Sequence, residues 1–526
     1  MSEVSRREFL LAAAAATALA GSAAHAQSPL KIPRPGRSLD VTLVGRADDL
    51  GEEVVSFGVP LPPGFLSDAN RVVVLDAGGE EVAATTRALE PWRLGGREGG
   101  FVRSVLVQFK SDFRTGRTKR VTLIFNKQPK RRGGAPVSVR ETLMDADGLK
   151  GPRVLAVLPA KWLCDSWLVG PQTPAAESGA YAAYDDFVER NFTGSLKYLD
   201  SREYAAWLYD RPSNYYKMYA RTGDAKFLEA GYRATHFMRL QTETTGPDAG
   251  IFKLKGADIK YVYPRAMHLH YLLTGDERAL EAGRLMARYC LRHTDPVYRP
   301  AGMTPSDPKK DPEKGREFWT LRNQGYGLLG VLHGWEMTGE RAYWEKAREC
   351  VDAYYRHQLR PPDGRPADGS LRQNWALYDS SEATFEGGTS AWMMALLLDP
   401  LFMYWTMTGD RRVPEMVLKW CDFLDRRGMV PDGSKAYYVI NCFAGPGEPG
   451  GELGPDMEMH NPEMAYTFAM GMYFAQDGAR RAAYRRRFDR LFPLAVKLDV
   501  NKPPRAFSWA FQFTSQLVYF MRRAAA

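Results

Sequence analysis

The spacing of apolar residues changes once along the chain. Between residues 38 and 147 it has a period of two, in runs such as Ser38–Arg46 ("SLDVTLVGR") and Phe101–Lys110 ("FVRSVLVQFK"). Glycine and proline separate these runs, and short alternating runs with close turns are typical of β-strands. We therefore predict an all-β domain, a sandwich or barrel, over residues 38–147.

From residue 181 the apolar residues follow a helical period, and one short sequence motif recurs. Thr-Gly-Asp or Thr-Gly-Glu occupies residues 222–224, 274–276, 338–340 and 408–410, each time between two apolar-periodic runs. Glycine ends helices because it tolerates the left-handed conformation, and an acidic residue caps the N–H groups that begin the next helix. Each copy is therefore predicted to be the turn of a helical hairpin.

The two runs of each hairpin differ in character. The first is apolar on nearly all sides, which predicts a buried helix, and the second is amphipathic, which predicts an outer helix. A degenerate copy at 476–478 and a last apolar run at 508–523 bring the inner helices to six. We predict a multidomain α+β protein in which a linker (148–180) joins the all-β domain to an (α/α)6-type toroid (181–526).

Residues 1–26 are predicted to be a signal peptide rather than part of the fold. Arg6 and Arg7 precede a short Ala/Leu run, and Ala24-His25-Ala26 precedes Gln27. This order is typical of twin-arginine export signals, so we expect a periplasmic or secreted protein. The rest of the sequence has no apolar run of about 18 residues, and we expect no stable membrane insertion.

Charge and cysteine content exclude several kinds of partner. The net charge is +9, from 71 basic and 62 acidic residues spread along the chain, without features that read nucleic acid. Five scattered cysteines without a Cys-x-x-Cys pair predict buried free thiols. Asp456, Glu458 and His460 could approach a cation, but their spacing matches no metal motif. We therefore expect no nucleic-acid partner, no metal and no cofactor.

Candidate chemistry lies where the inner helices begin. The longest predicted loops lead into these helices, so the helix N-termini should meet on one face and favour an anion there. The predicted catalytic residues near these starts are Tyr215, Tyr263, His268 and His460. The predicted substrate-binding residues are Arg211, Asn214, Arg265, Arg322, Asn323, Trp375, Glu386, Asn461 and Tyr466.

This set of side chains suits β-elimination on a uronic acid. The reaction needs a cation or amide to neutralise the carboxylate, a base for the adjacent C–H proton and an acid for the leaving oxygen. We predict an acidic polysaccharide or oligosaccharide as substrate. Hydrolysis is the rival chemistry, with paired carboxylates drawn from Asp210, Glu386 and Glu463. A glycan-binding protein without catalysis is a third possibility.

Three segments of the all-β region resemble a known family. They are Val54–Leu66 ("VVSFGVPLPPGFL"), Val72–Ala84 ("VVVLDAGGEEVAA") and Glu98–Phe109 ("EGGFVRSVLVQF"). They look like the β-domain of exo-rhamnogalacturonan lyase-like proteins, in which this domain precedes an (α/α) toroid. The third segment departs from the Asp-Gly-Ser and Arg-Trp pattern of the family. The resemblance implies polysaccharide lyase activity on an acidic glycan, with rhamnogalacturonan as the default backbone, and it transfers no catalytic residue.

Overall fold

The computed structural model describes residues 30–297, 320–373, 388–445, 448, 450–454 and 457–524. Seven of the first eight strands lie in the region of period-two alternation, and the eighth comes from the segment predicted to be a linker. They are β1 Ser38–Gly45, β2 Glu52–Pro60, β3 Val72–Leu75, β4 Glu81–Val82, β5 Ala84–Leu94, β6 Arg97–Asp112, β7 Thr118–Phe125 and β8 Val154–Val157. We call these eight strands the β-domain.

The β-domain consists of two antiparallel sheets, ordered β4-β3-β7-β1-β8 and β2-β6-β5. β1 shows the predicted alternation, because Leu39, Val41 and Leu43 are buried while their neighbours are more exposed. β6 departs from it and is buried on both faces from residue 102 to 109. One face packs within the β-domain and the other against the helices, where Ser104 Oγ donates to the carbonyl oxygen of Leu272 at 2.6 Å.

The rest of the chain is mainly helical. A short helix, α1 Ala160–Asp165, follows the β-domain. The longer helices are α2 Ala183–Ser195, α3 Arg211–Thr222, α4 Ala225–Leu240, α5 Pro264–Thr274, α6 Glu277–His293, α7 Leu321–Thr338, α8 Arg341–Leu359, α9 Ala391–Thr408, α10 Arg412–Phe423, α11 Asn461–Phe474 and α12 Gly478–Ala495. Two short helices end the chain, α13 Ala506–Phe511 and α14 Leu517–Ala524.

The recurring Thr-Gly-Asp/Glu motif forms the predicted helix–turn–helix. Its glycines at 223, 275, 339 and 409 have φ between 66° and 72°, and each donates its N–H to the carbonyl four residues earlier. Asp224, Asp276 and Asp410 accept the N–H two residues later, which caps the outer helix. Glu340 makes no such cap. These four turns define one face of the molecule, which we call the turn face.

The helices form a closed ring with an inner and an outer layer. α3, α5, α7, α9, α11 and α13 follow one another around the inside, and α13 returns to α3. α2, α4, α6, α8, α10 and α12 lie outside them. The protein is thus an α+β protein with a helical toroid, as predicted. The last inner position differs from the single predicted helix, because a 3₁₀ turn at Thr514–Gln516 separates α13 from α14.

The β-domain covers the turn face. Gly95 N–H donates to the carbonyl of Met407 at 2.8 Å, and Tyr271 Oη donates to the carbonyl of Leu89 at 3.0 Å. Gly58 allows the closest approach, since a Cβ there would lie 2.2 Å from the Leu272 carbonyl oxygen. Consequently the inner helices begin on the opposite face. A small sheet lies in the segments leading into α9 and α11, formed by β9 Gly388–Thr389, β10 Val439–Asn441 and β11 Gly451–Glu452.

Among the described helices, none has both the length and the apolar character needed to cross a membrane.

Candidate active site

The starts of the inner helices converge on a cluster of aromatic side chains opposite the β-domain. Trp392 lies in the first turn of α9, His460 immediately precedes α11, and Trp509 lies in α13. The His460 ring stacks on Trp392 with centroids 4.9 Å apart and 13° between the planes, and Trp509 is also 4.9 Å away. Tyr209, just before α3, lies 5.4 Å from Trp509, and Tyr438 lies 5.9 Å from His460. We call this aromatic cluster the mouth.

The mouth also holds cationic groups. Arg322, in the first turn of α7, donates from Nη1 to Tyr209 Oη at 3.2 Å, and its guanidinium lies 5.2 Å from the Trp392 centroid. Arg505 lies 4.7 Å from the Trp509 centroid. Lys260 contacts Asp258 at 3.2 Å, while burial, together with the nearby charge of Arg322, lowers the pKa of Lys260 to about 7. The mouth therefore owes its preference for an anion to Arg322 and Arg505.

A histidine–carboxylate pair stands on one wall of the mouth. His460 Nδ1 lies 3.1 Å from Oε1 of Glu463, which is in the first turn of α11. Burial raises the pKa of Glu463, which is 1 % exposed. Donation from Nδ1 to Glu463 leaves the lone pair of His460 on Nε2, where it can accept a proton from a ligand.

Several buried polar atoms around the mouth have no hydrogen-bond partner in the described part of the chain. Buried polar groups in folded proteins are nearly always paired, with protein or with ordered water. Their concentration here is consistent with a site that binds polar ligand atoms or water. These atoms are Trp392 Nε1, Trp509 Nε1, Arg505 Nε, Asn461 Oδ1 and Glu463 Oε2.

Three of the predicted residues, Arg322, His460 and Asn461, lie together at the mouth. Arg211 and Tyr215 instead tie α3 to its neighbours. The Arg211 guanidinium donates to the carbonyls of Ala206 at 2.6 Å, Ser195 at 3.3 Å and Pro504. Tyr215 Oη pairs with Ser195 Oγ at 2.9 Å. These polar groups are occupied by the fold, away from the mouth.

Tyr263 and Arg265 support the mouth from below. Tyr263 Oη accepts the N–H of Tyr209 at 2.9 Å and donates to the Lys260 carbonyl, so it positions the segments that carry both residues. Arg265 pairs with Asp210 at 3.0 Å and with Asp399 at 2.5 Å. These carboxylates raise the pKa of Arg265 against the opposing effect of its burial.

The other predicted residues are dispersed. His268 lies towards the turn face, where Nε2 is 2.7 Å from Glu90 of β5. Asn214 lines a separate cavity of about 230 Å³ between α2, α3 and α13. The N–H of Asn323 donates to Thr320 Oγ1 at 3.3 Å, a contact that caps the start of α7. Tyr466 packs on Phe513 inside the ring, with centroids 4.9 Å apart. Trp375 and Glu386 lie outside the described residues, as does Asp456.

Tyr209, Trp392 and Tyr438 are site residues that the candidate set misses. Tyr209 and Trp392 lie within two residues of the start of α3 and α9, so the criterion that selected Arg322 would also have selected them. Tyr438 adjoins β10, and no periodic signal in the sequence connects it to the mouth.

Fold and site together define a helical toroid with an attached β-domain and an aromatic, cationic mouth. No protein-family model and no curated protein matches the chain. Three solved structures show limited similarity. An unsaturated glucuronyl hydrolase from Bacillus sp. GL1 has 15 % identity over 62 % of this chain and 87 % of its own, with a TM-score of 0.41.

The second structure is a cellobiose 2-epimerase from Spirochaeta thermophila. It has 12 % identity over 62 % of this chain and 86 % of its own, with a TM-score of 0.42. The third is a polysaccharide lyase. It has 11 % identity over 61 % of this chain and 91 % of its own, with a TM-score of 0.40. At this level of similarity, the chemistry of the site has to be argued from its own residues.

Proposed function

We propose that the protein is an enzyme that cleaves an acidic, uronate-containing glycan by β-elimination at the mouth. The observation that carries this proposal is the position of Arg322 and Tyr209 in the same aromatic cluster as the His460–Glu463 pair. The mouth thus brings together a cation, Arg322, a proton donor, Tyr209, and a proton acceptor, His460. The acidic substrate follows from the cations, and the sugar follows from the aromatic walls.

Binding would use two features of the mouth. A pyranose ring has an apolar face that packs on an aromatic side chain, and Trp392 and Trp509 would supply such surfaces. The uronate carboxylate would then accept from the Arg322 guanidinium, whose planar donors match carboxylate geometry. Neutralising the carboxylate makes the C5 proton more acidic, by the logic of an oxyanion hole.

The elimination step then requires a general base and a general acid. His460 Nε2 takes the C5 proton, the C–H electron pair forms the C4=C5 double bond, and the C4–O bond breaks with its electrons on oxygen. Tyr209 Oη gives its proton to that leaving oxygen. Burial raises the pKa of Tyr209, which keeps the phenol protonated at neutral pH and suits it to donation. Glu463 holds the imidazole and stabilises its charge after proton transfer.

The carboxylates described at the mouth fit hydrolysis less well. Hydrolysis requires an acid and a second carboxylate, about 5–9.5 Å apart, on either side of the bond. Glu463 is paired with His460 and Asp258 with Lys260. Each of these two carboxylates therefore already has a basic partner in the fold.

The proposal extends to substrate and location. Rhamnogalacturonan is the first glycan to test, because the β-domain segments resemble those of exo-rhamnogalacturonan lyase-like proteins. We also propose export through the twin-arginine signal predicted at residues 1–26, which would bring the enzyme to extracellular glycans.

The decisive experiment is a panel of pectic, alginate, glucuronan and glycosaminoglycan substrates. Elimination produces a 4,5-unsaturated uronate, which absorbs in the ultraviolet, together with new reducing ends. We expect both signals to rise in proportion on at least one substrate. Reducing ends without the absorbance would replace elimination by hydrolysis. Saturable binding without either signal would identify a glycan-binding protein.

A further inference from the structure

Five charged or titratable side chains are buried together where the β-domain meets the turn face, away from the mouth. They come from two inner helices and two strands of the β-domain, and each is at most 5 % exposed. The members of this interdomain cluster are His268 on α5, His333 and Glu336 on α7, Glu90 on β5 and Arg103 on β6. The proposed elimination uses none of them.

Three atoms of the interdomain cluster have the spacing of metal ligands. His268 Nδ1 and His333 Nδ1 are 2.9 Å apart, and Glu336 Oε2 lies 3.7 Å from the first and 3.5 Å from the second. Zinc–ligand bonds of about 2.0–2.2 Å in a tetrahedron place neighbouring ligand atoms roughly 3.3–3.6 Å apart. The three atoms therefore outline one face of such a tetrahedron, with small adjustments.

The β-domain supplies the outer contacts that a metal site requires. His268 Nε2 lies 2.7 Å from Glu90 Oε1, and donation to this carboxylate leaves the lone pair of His268 on Nδ1. Ligating histidines commonly donate their other ring N–H to a carboxylate in this way. Arg103 contacts Glu90 at 3.2 Å and Glu336 at 3.1 Å, which holds both carboxylates in place.

Acidic side chains outnumber arginines in the interdomain cluster and in the layer next to it. Arg103 contacts Glu90 within the cluster, and Arg265 of the adjacent layer pairs with Asp210 and Asp399. Burial lowers the pKa of Lys217 to about 7, which reduces its positive charge. Four carboxyl groups face two guanidinium groups, and a divalent cation would compensate this excess of acidic groups, because buried charge without compensation is costly. The carboxylates are Glu90, Glu336, Asp210 and Asp399, and the arginines are Arg103 and Arg265.

There is also room for a further ligand. A cavity of about 70 Å³ borders His333 and Glu336, and one water molecule needs only about 10–15 Å³ of such space. Glu336 Oε2 has no hydrogen-bond partner among the described residues, although the side chain is 4 % exposed. An unpaired carboxylate oxygen beside two imidazole nitrogens is the arrangement that a cation would satisfy.

We propose that His268 Nδ1, His333 Nδ1 and Glu336 Oε2 bind a divalent cation of the zinc class, with water from the cavity as fourth ligand. Two imidazoles and one carboxylate are typical zinc donors. The ion would join α5 to α7 and, through Glu90 and Arg103, to the β-domain. The sequence gives no signal for this site, because His268 and His333 lie 65 residues apart on separate helices.

A second group, His236, His270 and Asp276, also brings possible ligand atoms together. It suits a cation less well. Arg278 contacts both oxygens of Asp276, at 3.0 Å and 2.8 Å, so this carboxylate is already neutralised. Arg239 Nε donates to His236 Nδ1 at 3.3 Å and adds a further positive charge. This group therefore serves as an internal control.

The test measures metal directly, so its result is independent of catalytic activity. Protein without the signal segment is loaded with zinc, freed of excess ion and analysed by mass spectrometry for metals. We expect about one zinc per chain in the wild type and in His270→Gln, and a loss of at least about tenfold in His333→Gln and Glu336→Gln. Zinc retained by the last two variants, or lost only from His270→Gln, would overturn the proposal.

Two further measurements test the proposal on the wild-type protein, in case the variants fold poorly. Cobalt added to the wild-type apoprotein should give the visible d–d bands of a four-coordinate site, and a chelator should lower the melting temperature of the wild type more than that of Glu336→Gln. Absence of these bands and of bound zinc from the wild type would leave a hydrogen-bonded histidine pair and reject the site.

Discussion

Replacing Arg322 by methionine tests the proposed chemistry most directly. Methionine keeps much of the length and apolar character of the side chain but removes its charge and all its donors. Arg322 is 6 % exposed, and its described contacts are with Tyr209 and the Trp392 ring. In the proposed reaction its additional task is to neutralise the substrate carboxylate as charge develops next to it.

The expected size of the effect follows from this environment. Removing one preorganised donor from a desolvated site costs about 2.7–4 kcal/mol of transition-state stabilisation, or roughly 10²–10³ in rate. We expect kcat/KM of Arg322→Met to fall by about this factor. Arg322→Lys keeps the charge but loses the planar pair of donors, so it should retain more activity than the methionine variant.

The assay is the initial rate of ultraviolet absorbance on the best substrate of the panel. Arg348→Met makes the same chemical change at an exposed position of the outer helix α8 and should leave kcat/KM within about twofold. Melting temperatures of all three variants separate catalysis from folding. If folded Arg322→Met keeps kcat/KM within about threefold of the wild type, the neutralising role is refuted.

Three further predictions concern the mouth and the layer below it. His460→Gln should lower kcat by about 10²–10⁴ with little change in KM, and an unchanged kcat would remove His460 as the base. Trp392→Ala should raise KM roughly tenfold, through loss of about 1–1.5 kcal/mol of aromatic packing; an unchanged KM would place the sugar elsewhere. Lys217 has a pKa lowered to about 7 by burial, so the folded state binds fewer protons than the unfolded state between about pH 7 and 10.5. Lys217→Met should therefore be the more stable protein at pH 6, by a few kcal/mol in denaturant melts, and this advantage should shrink as pH rises towards 10; a constant difference would contradict the shifted pKa.

The sequence predicts the helical ring well because its information is local. A glycine that must adopt a positive φ and an aspartate that caps a helix are each recognisable from their neighbours, and Gly223, Gly275 and Gly409 behave accordingly. Inner and outer helices differ in apolar periodicity, which reflects burial directly. The break between α13 and α14 is missed because both pieces are apolar and buried, so periodicity continues across the turn.

The candidate site is predicted only in part, because proximity to a helix start does not fix the direction of a side chain. Arg211 and Arg322 both lie in the first turn of an inner helix. Arg211 meets the carbonyls of Ala206 and Ser195, which the α2–α3 connection brings to it, whereas Arg322 meets the Tyr209 hydroxyl and an aromatic wall. Tyr209 lies 113 residues from Arg322 in the sequence, and only the assembled ring determines which of the two guanidinium groups lies at the mouth.

The same reasoning explains why His268 is the least predictable of the residues selected. It is more than a turn into α5, and its surroundings depend on the β-domain, which places Glu90 and Arg103 against the turn face. A histidine among aliphatic residues on a buried helix gives no local indication of a carboxylate 178 residues away. The packing of the β-domain on the toroid therefore creates a polar environment that neither domain has alone. If a cation occupies it, the joint between the domains is held by coordination chemistry as well as by apolar contact, and chelation should loosen that joint before it disturbs the mouth.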